Sequence, residues 1–176
     1  MADGSAAWIQ AISEAFSALF SFILLAGLLF GYRQIRDANS WNKINNAFNF
    51  FNFSGFSQQE KEFFDVLMKL GIDLTTQTEE LSSKELQKLW NDPNAYKITQ
   101  DYLNLLENFA FGIRIGALDE DCSFELNCAR IVRIAFIFRP FIKKYQVSVG
   151  SAAFYNELYS LYHRWEPKMG KSASTS

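Results

Sequence analysis

The chain has 176 residues and a net charge of −2, a length that fits one domain plus a membrane segment. The balanced charge argues against duplex nucleic acid as a bulk partner. Nine Gly and 3 Pro, set against 18 Phe, 7 Tyr and 4 Trp, argue against a turn-rich β protein and for helices with an aromatic core.

Residues 1–14 form a short N-terminal lead. From Ala15 to Tyr32 the chain reads AFSALFSFILLAGLLFGY, without a charge. A bilayer core takes roughly 20 apolar residues, so this stretch, 15–32, is the expected transmembrane helix. No Lys or Arg precedes it, whereas Arg33, Arg36 and Lys43 follow. The positive-inside rule therefore expects the N-terminus outside and the remainder in the cytoplasm, with Trp8 and Tyr32 as interfacial aromatics. Gly27 and Gly31 form G-x-x-x-G, and Ser13, Ser17 and Ser21 repeat every four residues. Small residues let helices approach closely, which predicts self-association along this face.

A juxtamembrane helix is expected over 33–56. Its aromatic stretch, Phe48, Phe50, Phe51, Phe53 and Phe56, is expected to pack into a core more than onto lipid. Ser57 with Glu60 reads as a capping box that starts the next helix, and Gly71 as its C-terminal stop. A polar loop follows. Ser82 with Glu85 is a second capping box, and Asp92-Pro93 is a start signal for a long helix. In that helix Tyr102, Leu105, Leu106, Phe109, Ala110 and Ile113 recur at buried-stripe spacing. Asp119 then caps another helix with the stripe Ile131, Ile134, Ala135, Phe138, Ile142 and Tyr145, kinked at Pro140. After Gly150 a last helix carries Phe154, Leu158, Leu161, Tyr162 and Trp165. Residues 167–176 read as a disordered tail. The expected fold is all-α: one transmembrane helix, then a cytoplasmic domain over 57–166 of about five helices.

The segments YRQIRDANSWNK, YLNLLENFAFGIRIGALDED, FRPFIKKY and FYNELYSLYHRW occur in that order. Together they resemble a bacterial family of small membrane proteins, domain of unknown function 4760. The similarity is best over Tyr102 to Asp121, Arg139 to Tyr145 and Leu158 to Trp165. It implies a membrane anchor with a cytoplasmic helical domain and brings no catalytic residues. The layout also looks like small membrane effectors of type III CRISPR defence. That resemblance implies a tetramer whose cytoplasmic domain binds cyclic tetra-adenylate.

Candidate chemistry is sparse. Cys122 and Cys128 are too few for a disulfide framework, and with the single histidine, His163, they complete no zinc site. His163 has no evident nucleophile or orienting partner, so no enzyme, cofactor or metal is expected. Asp119, Glu120 and Asp121 read as helix-start acids. Glu107, in an apolar helix, needs a partner, which Arg114, Arg130 or Arg133 would supply. The basic set Arg114, Arg130, Arg133, Arg139 and Lys143, joined by Lys144, suits an anion such as phosphate. Tyr96, Tyr102 and Tyr145 suit stacking on bases. The competing reading pairs these cations with acids, water or anionic lipid. The expected function is a ligand-gated inner-membrane effector of antiphage defence that senses a cyclic oligonucleotide. The alternative is a membrane adaptor for a cytoplasmic protein.

Overall fold

A computed structural model of the chain describes residues 3–51 and 54–172, with side chains from residue 16 apart from 18, 52–55 and 170–172. Met1, Ala2, Asn52, Phe53 and 173–176 lie outside the described residues, as do the side chains of Trp8, Ser13 and Ala15. The described residues form seven α-helices and no strand. The chain divides after Asn42 into two compact units.

The first unit is most of α1 (Asp3–Phe50). This helix is long and apolar enough to cross a membrane, with the candidate span at Leu19–Phe50 and none of its apolar window buried. Phe22, Leu28 and Phe30 are each 70% or more exposed. From Leu19 to Tyr32 the helix carries no charged residue, so this part lacks the charged face of an amphipathic helix. A Cβ built at Gly27 or Gly31 meets nothing within 4 Å. Ser21 donates its hydroxyl to the Ser17 carbonyl at 2.8 Å, a bond within the helix.

The second unit begins at Lys43 with the last turns of α1. It continues with α2 (Ser54–Lys69), α3 (Ser83–Asn91), α4 (Pro93–Arg114), α5 (Glu120–Ile137), α6 (Arg139–Ser148) and α7 (Asn156–Ser172). Packed against α4 are α2, α3 and α7, while α5 packs on α6 and α7. The predicted stripes of α4 and α5 are buried, save Leu105, which is half-buried. Phe56 is buried and Phe50 and Phe51 pack against the core, whereas Phe48 is exposed.

Local signals set most boundaries. Ser82 and Glu85 form the reciprocal capping box of α3. Asp92 accepts the Asn94 and Ala95 N–H groups ahead of Pro93, and Asp119 accepts that of Cys122. At the end of α2, Gly71 (φ 76°) donates to Met68 O and Ile72 to Leu67 O. Gly116 and Ala117 repeat the pattern after α4, as do Gly150 and Ser151 after α6. These paired bonds are Schellman turns, and they need a left-handed residue that glycine supplies without strain.

Four boundaries differ from the sequence reading. The helix expected from Ser57 already begins at Ser54, and no capping box forms, because Glu60 turns to Arg130 and Tyr102. At Pro140 the helix does not kink but ends and restarts: α5 stops at Ile137 and proline takes the first turn of α6, where it costs no bond. The unit therefore has six helices besides the end of α1. Phe154 lies before α7 and is 43% exposed, so it is not part of the stripe. Finally, α7 continues through Pro167 to Ser172, where disorder was expected.

Candidate functional site

Leu126, Asn127, Arg130, Arg133 and Ile134 recur on α5 at the spacing that places side chains on one helical face. Ser57, Glu60 and Phe64 do the same on α2. Between them run two pockets that share Arg130. One, about 360 Å³, is lined by Phe48, Phe51, Ser57, Glu60, Leu126, Asn127 and Arg130. The other, about 210 Å³, is lined by Phe64, Leu74, Ala129, Arg130, Arg133 and Ile134.

Arg130 is held from several sides. Its Nη1 lies 3.2 Å from Glu60 Oε1, and its guanidinium rests over Phe51 and Phe56 at 5.5 and 6.0 Å. Glu60 is itself fixed by the Tyr102 hydroxyl, which donates at 3.3 Å. Burial, and then the neighbouring Glu60 charge, push the Tyr102 phenol far above its ordinary value, so it stays a donor. The ring of Tyr102 is stacked on Phe63 at 4.2 Å and is 1% exposed. Tyr102 is thus a positioning residue for Arg130, and it offers no face on which a base could stack.

Asn127 is the residue missed by the sequence reading. It is 6% exposed, lines the larger pocket and makes no side-chain hydrogen bond among the described residues. The carboxamide is not among the buried polar groups left without a partner, so it keeps its access to the pocket and is a candidate ligand contact there. The signal was present in the sequence: Ser123 and Asn127 interrupt the apolar stripe of α5 one turn apart.

Of the remaining candidates only Arg133 lines this groove, in the smaller pocket, and its guanidinium is engaged elsewhere. The Arg133 guanidinium donates to the carbonyls of Leu74 and Gln77, the latter at 3.1 Å, and ties down the loop before α3. Arg139 pairs with Glu80 at 2.8 Å and donates to the Tyr162 hydroxyl at 3.2 Å. Arg114 pairs with Glu157 at 2.7 Å. Lys143 is exposed beside Gly150, and Lys144 lies 4.5 Å over Trp90. Tyr145 is buried, with its hydroxyl accepting from Gln100 at 2.9 Å. Tyr96 packs edge-on to Trp90. These arginines join elements that are distant in sequence.

Glu107 also has a different partner from the arginine expected: it accepts the backbone N–H groups of Glu157 and Leu158 at the start of α7. Glu120 reaches α7 as well, accepting from Trp165 Nε1 at 3.1 Å and Arg164 Nε at 3.2 Å. His163 is exposed beside the Tyr159 and Tyr162 rings. Burial raises the Cys122 thiol above its ordinary value, and both cysteines are free. Among the described residues no group of three or more His, Cys, Asp or Glu could hold a metal ion.

The family described as Domain of unknown function (DUF4760) matches residues 13–165. The chain belongs to that family. The DUF4760 match runs from the apolar part of α1 to Trp165 on α7, so it takes in both α2 and α5 with their groove. No curated protein and no solved structure matches this DUF4760 chain.

Proposed function

We propose that this protein is a single-pass bacterial inner-membrane receptor, with its N-terminus outside and its helical unit in the cytoplasm. The unit is non-enzymatic and takes a small anionic ligand in the α2–α5 groove. Asn127 carries the reading: its unpartnered carboxamide faces the same pocket as Arg130, which Glu60 holds in place. Arg130 gives one contact to Glu60 and retains further donors for phosphate or carboxylate oxygens. The basic residues just past the apolar stretch of α1 support the orientation. The open Gly27/Gly31 face supports assembly of copies through α1, as a tetramer in the most specific form. In that form the ligand is a cyclic oligonucleotide, and its binding shifts the spans of an antiphage-defence effector. Such gating needs different ligand affinity in two states.

The test is thermal unfolding of the full chain in detergent against a panel of linear and cyclic nucleotides. A ligand that binds the native state raises the midpoint. The rise is expected for a cyclic oligonucleotide and is expected to vanish in Arg130→Ala and Asn127→Ala. If no nucleotide shifts a folded chain, the reading moves to an adaptor for a cytoplasmic protein. One observation favours that second reading: Phe111 and Ile115, 43% and 55% exposed, lie one turn apart at the end of α4.

A further inference from the structure

A larger cavity, about 530 Å³, is built where α1 ends. Its apolar walls are Phe50, Phe56, Leu105 and Leu118, and its polar groups are the carboxamides of Asn46, Asn49 and Gln59. Small-molecule sites are typically about 300–1,000 Å³ and mostly apolar, with a few placed polar groups. Among the described residues no ionisable side chain lines this cavity, whereas four other pockets each carry at least one Lys or Arg.

The cavity wall is a constructed one. The turn after α4 is closed by Ala117 N–H to Gly112 O at 2.9 Å. Leu118 then lies so close on Gly112 that a Cβ there would meet its Cδ1 at 3.0 Å. The same turn is tied to the end of α1 by Asn46 Nδ2 to Ala117 O at 3.4 Å and by Asp119 N–H to Lys43 O at 3.3 Å. Asn49 donates to Asn45 Oδ1 at 3.0 Å. Both asparagines donate within the protein, so their carboxamide oxygens are left as acceptors.

We infer that this cavity is a second ligand site, for an uncharged molecule with a flat apolar body and a hydrogen-bonding group such as an amide or hydroxyl. An ionised head would lose its water there without gaining a counter-charge, which is strongly unfavourable. A neutral donor gains the asparagine oxygens while its rings lie against Phe50 and Phe56. The site is separate from the Arg130 groove, and its ligand is of the opposite polarity.

The probe is N-phenylbenzamide, with its carboxylate analogue 4-benzamidobenzoate as the charged counterpart. Each is titrated into the full chain in detergent, with leucine and alanine methyl groups isotope-labelled for NMR. The Leu105, Ala117 and Leu118 methyl signals are expected to move saturably, at concentrations at least about tenfold lower for the neutral probe. Ala117 is exposed on the wall, so Ala117→Trp fills the cavity from outside and is expected to abolish the response while distant Leu89 and Leu158 signals stay in place. Gln59→Trp, on α2, is the second filling variant, should the first fail to fold. Equal response to both probes, no saturable shift, or a response that survives the filling variants on a folded chain would overturn the site.

Discussion

Glu107 caps the first turn of α7 through Leu158: its Oε2 accepts the Leu158 N–H at 2.7 Å, and its Oε1 the Glu157 N–H at 3.1 Å. The residue ahead of α7, Tyr155, is left-handed at φ 62°, and its only side-chain oxygen sits at the far end of the ring, out of reach of the N–H groups that follow. A carboxylate from α4 therefore does in space what Ser or Asp does in sequence. Glu107→Ala leaves both N–H groups without a partner and should destabilise the fold by about 1–3 kcal/mol, read from denaturant unfolding. Burial pushes the Glu107 carboxyl up, and the two N–H bonds only partly offset it. Its folded value is thus above its unfolded one, so its contribution is greatest below the ordinary carboxyl range and falls as pH rises through the raised value. Glu107→Gln should remove that part of the pH slope.

Tyr155 itself supplies a prediction of opposite sign. It is 1% exposed and its hydroxyl is buried with no partner. Tyr155→Phe keeps the ring against Tyr145 and deletes an unsatisfied group, so stability should rise by about 1 kcal/mol. A thermal midpoint lower than that of the parent chain would refute this.

Glu120 joins α5 to α7. Burial raises its carboxyl, but the hydrogen bonds from Trp165 and Arg164 and the charges of Arg164 and Lys168 outweigh burial and hold it below the ordinary value. Its stabilising contribution is present above the unfolded carboxyl value and is lost as pH falls through the lowered one. Glu120→Gln should be less stable than the parent at neutral pH, with the gap closing toward acid. Parallel unfolding curves at both extremes would contradict the assignment.

Arg133 should govern the loop before α3. It donates to the Leu74 and Gln77 carbonyls, and the same loop ends on Leu81 N–H bonded to Ile137 O at 3.0 Å. Arg133→Met keeps the aliphatic bulk and leaves those carbonyls to water. Hydrogen exchange at Leu81 should accelerate by roughly tenfold or more, a loss on the order of 1–2 kcal/mol of local stability. Unchanged exchange would show that the loop holds itself.

The helices were legible wherever the signal is local. Ser82 with Glu85, Asp92-Pro93, Asp119, and the glycines at 71, 116 and 150 each complete their bonds within a few residues, so spacing alone reveals them. Ser57 with Glu60 shows the limit. The spacing is correct, but Arg130 and Tyr102, distant in sequence, compete for the same carboxylate and win. Pro140 was visible as an interruption, but whether the chain bends or restarts depends on where Phe138 and Phe141 bury. Arg130 and Tyr102 were both singled out, yet their link passes through Glu60, and no periodicity shows a relay among three helices. Asn127 was hidden because its meaning lies in a partner it lacks.

The rings of Phe51 and Phe56 meet edge to face at 4.5 Å. Phe51 lines the Arg130 groove, and Phe56 lines the uncharged cavity while also lying under the Arg130 guanidinium. Two chambers of unlike polarity therefore have one party wall. Substitutions that hollow or thicken it should change both chambers at once, so a genetic screen that selects on either one should return the same two phenylalanines.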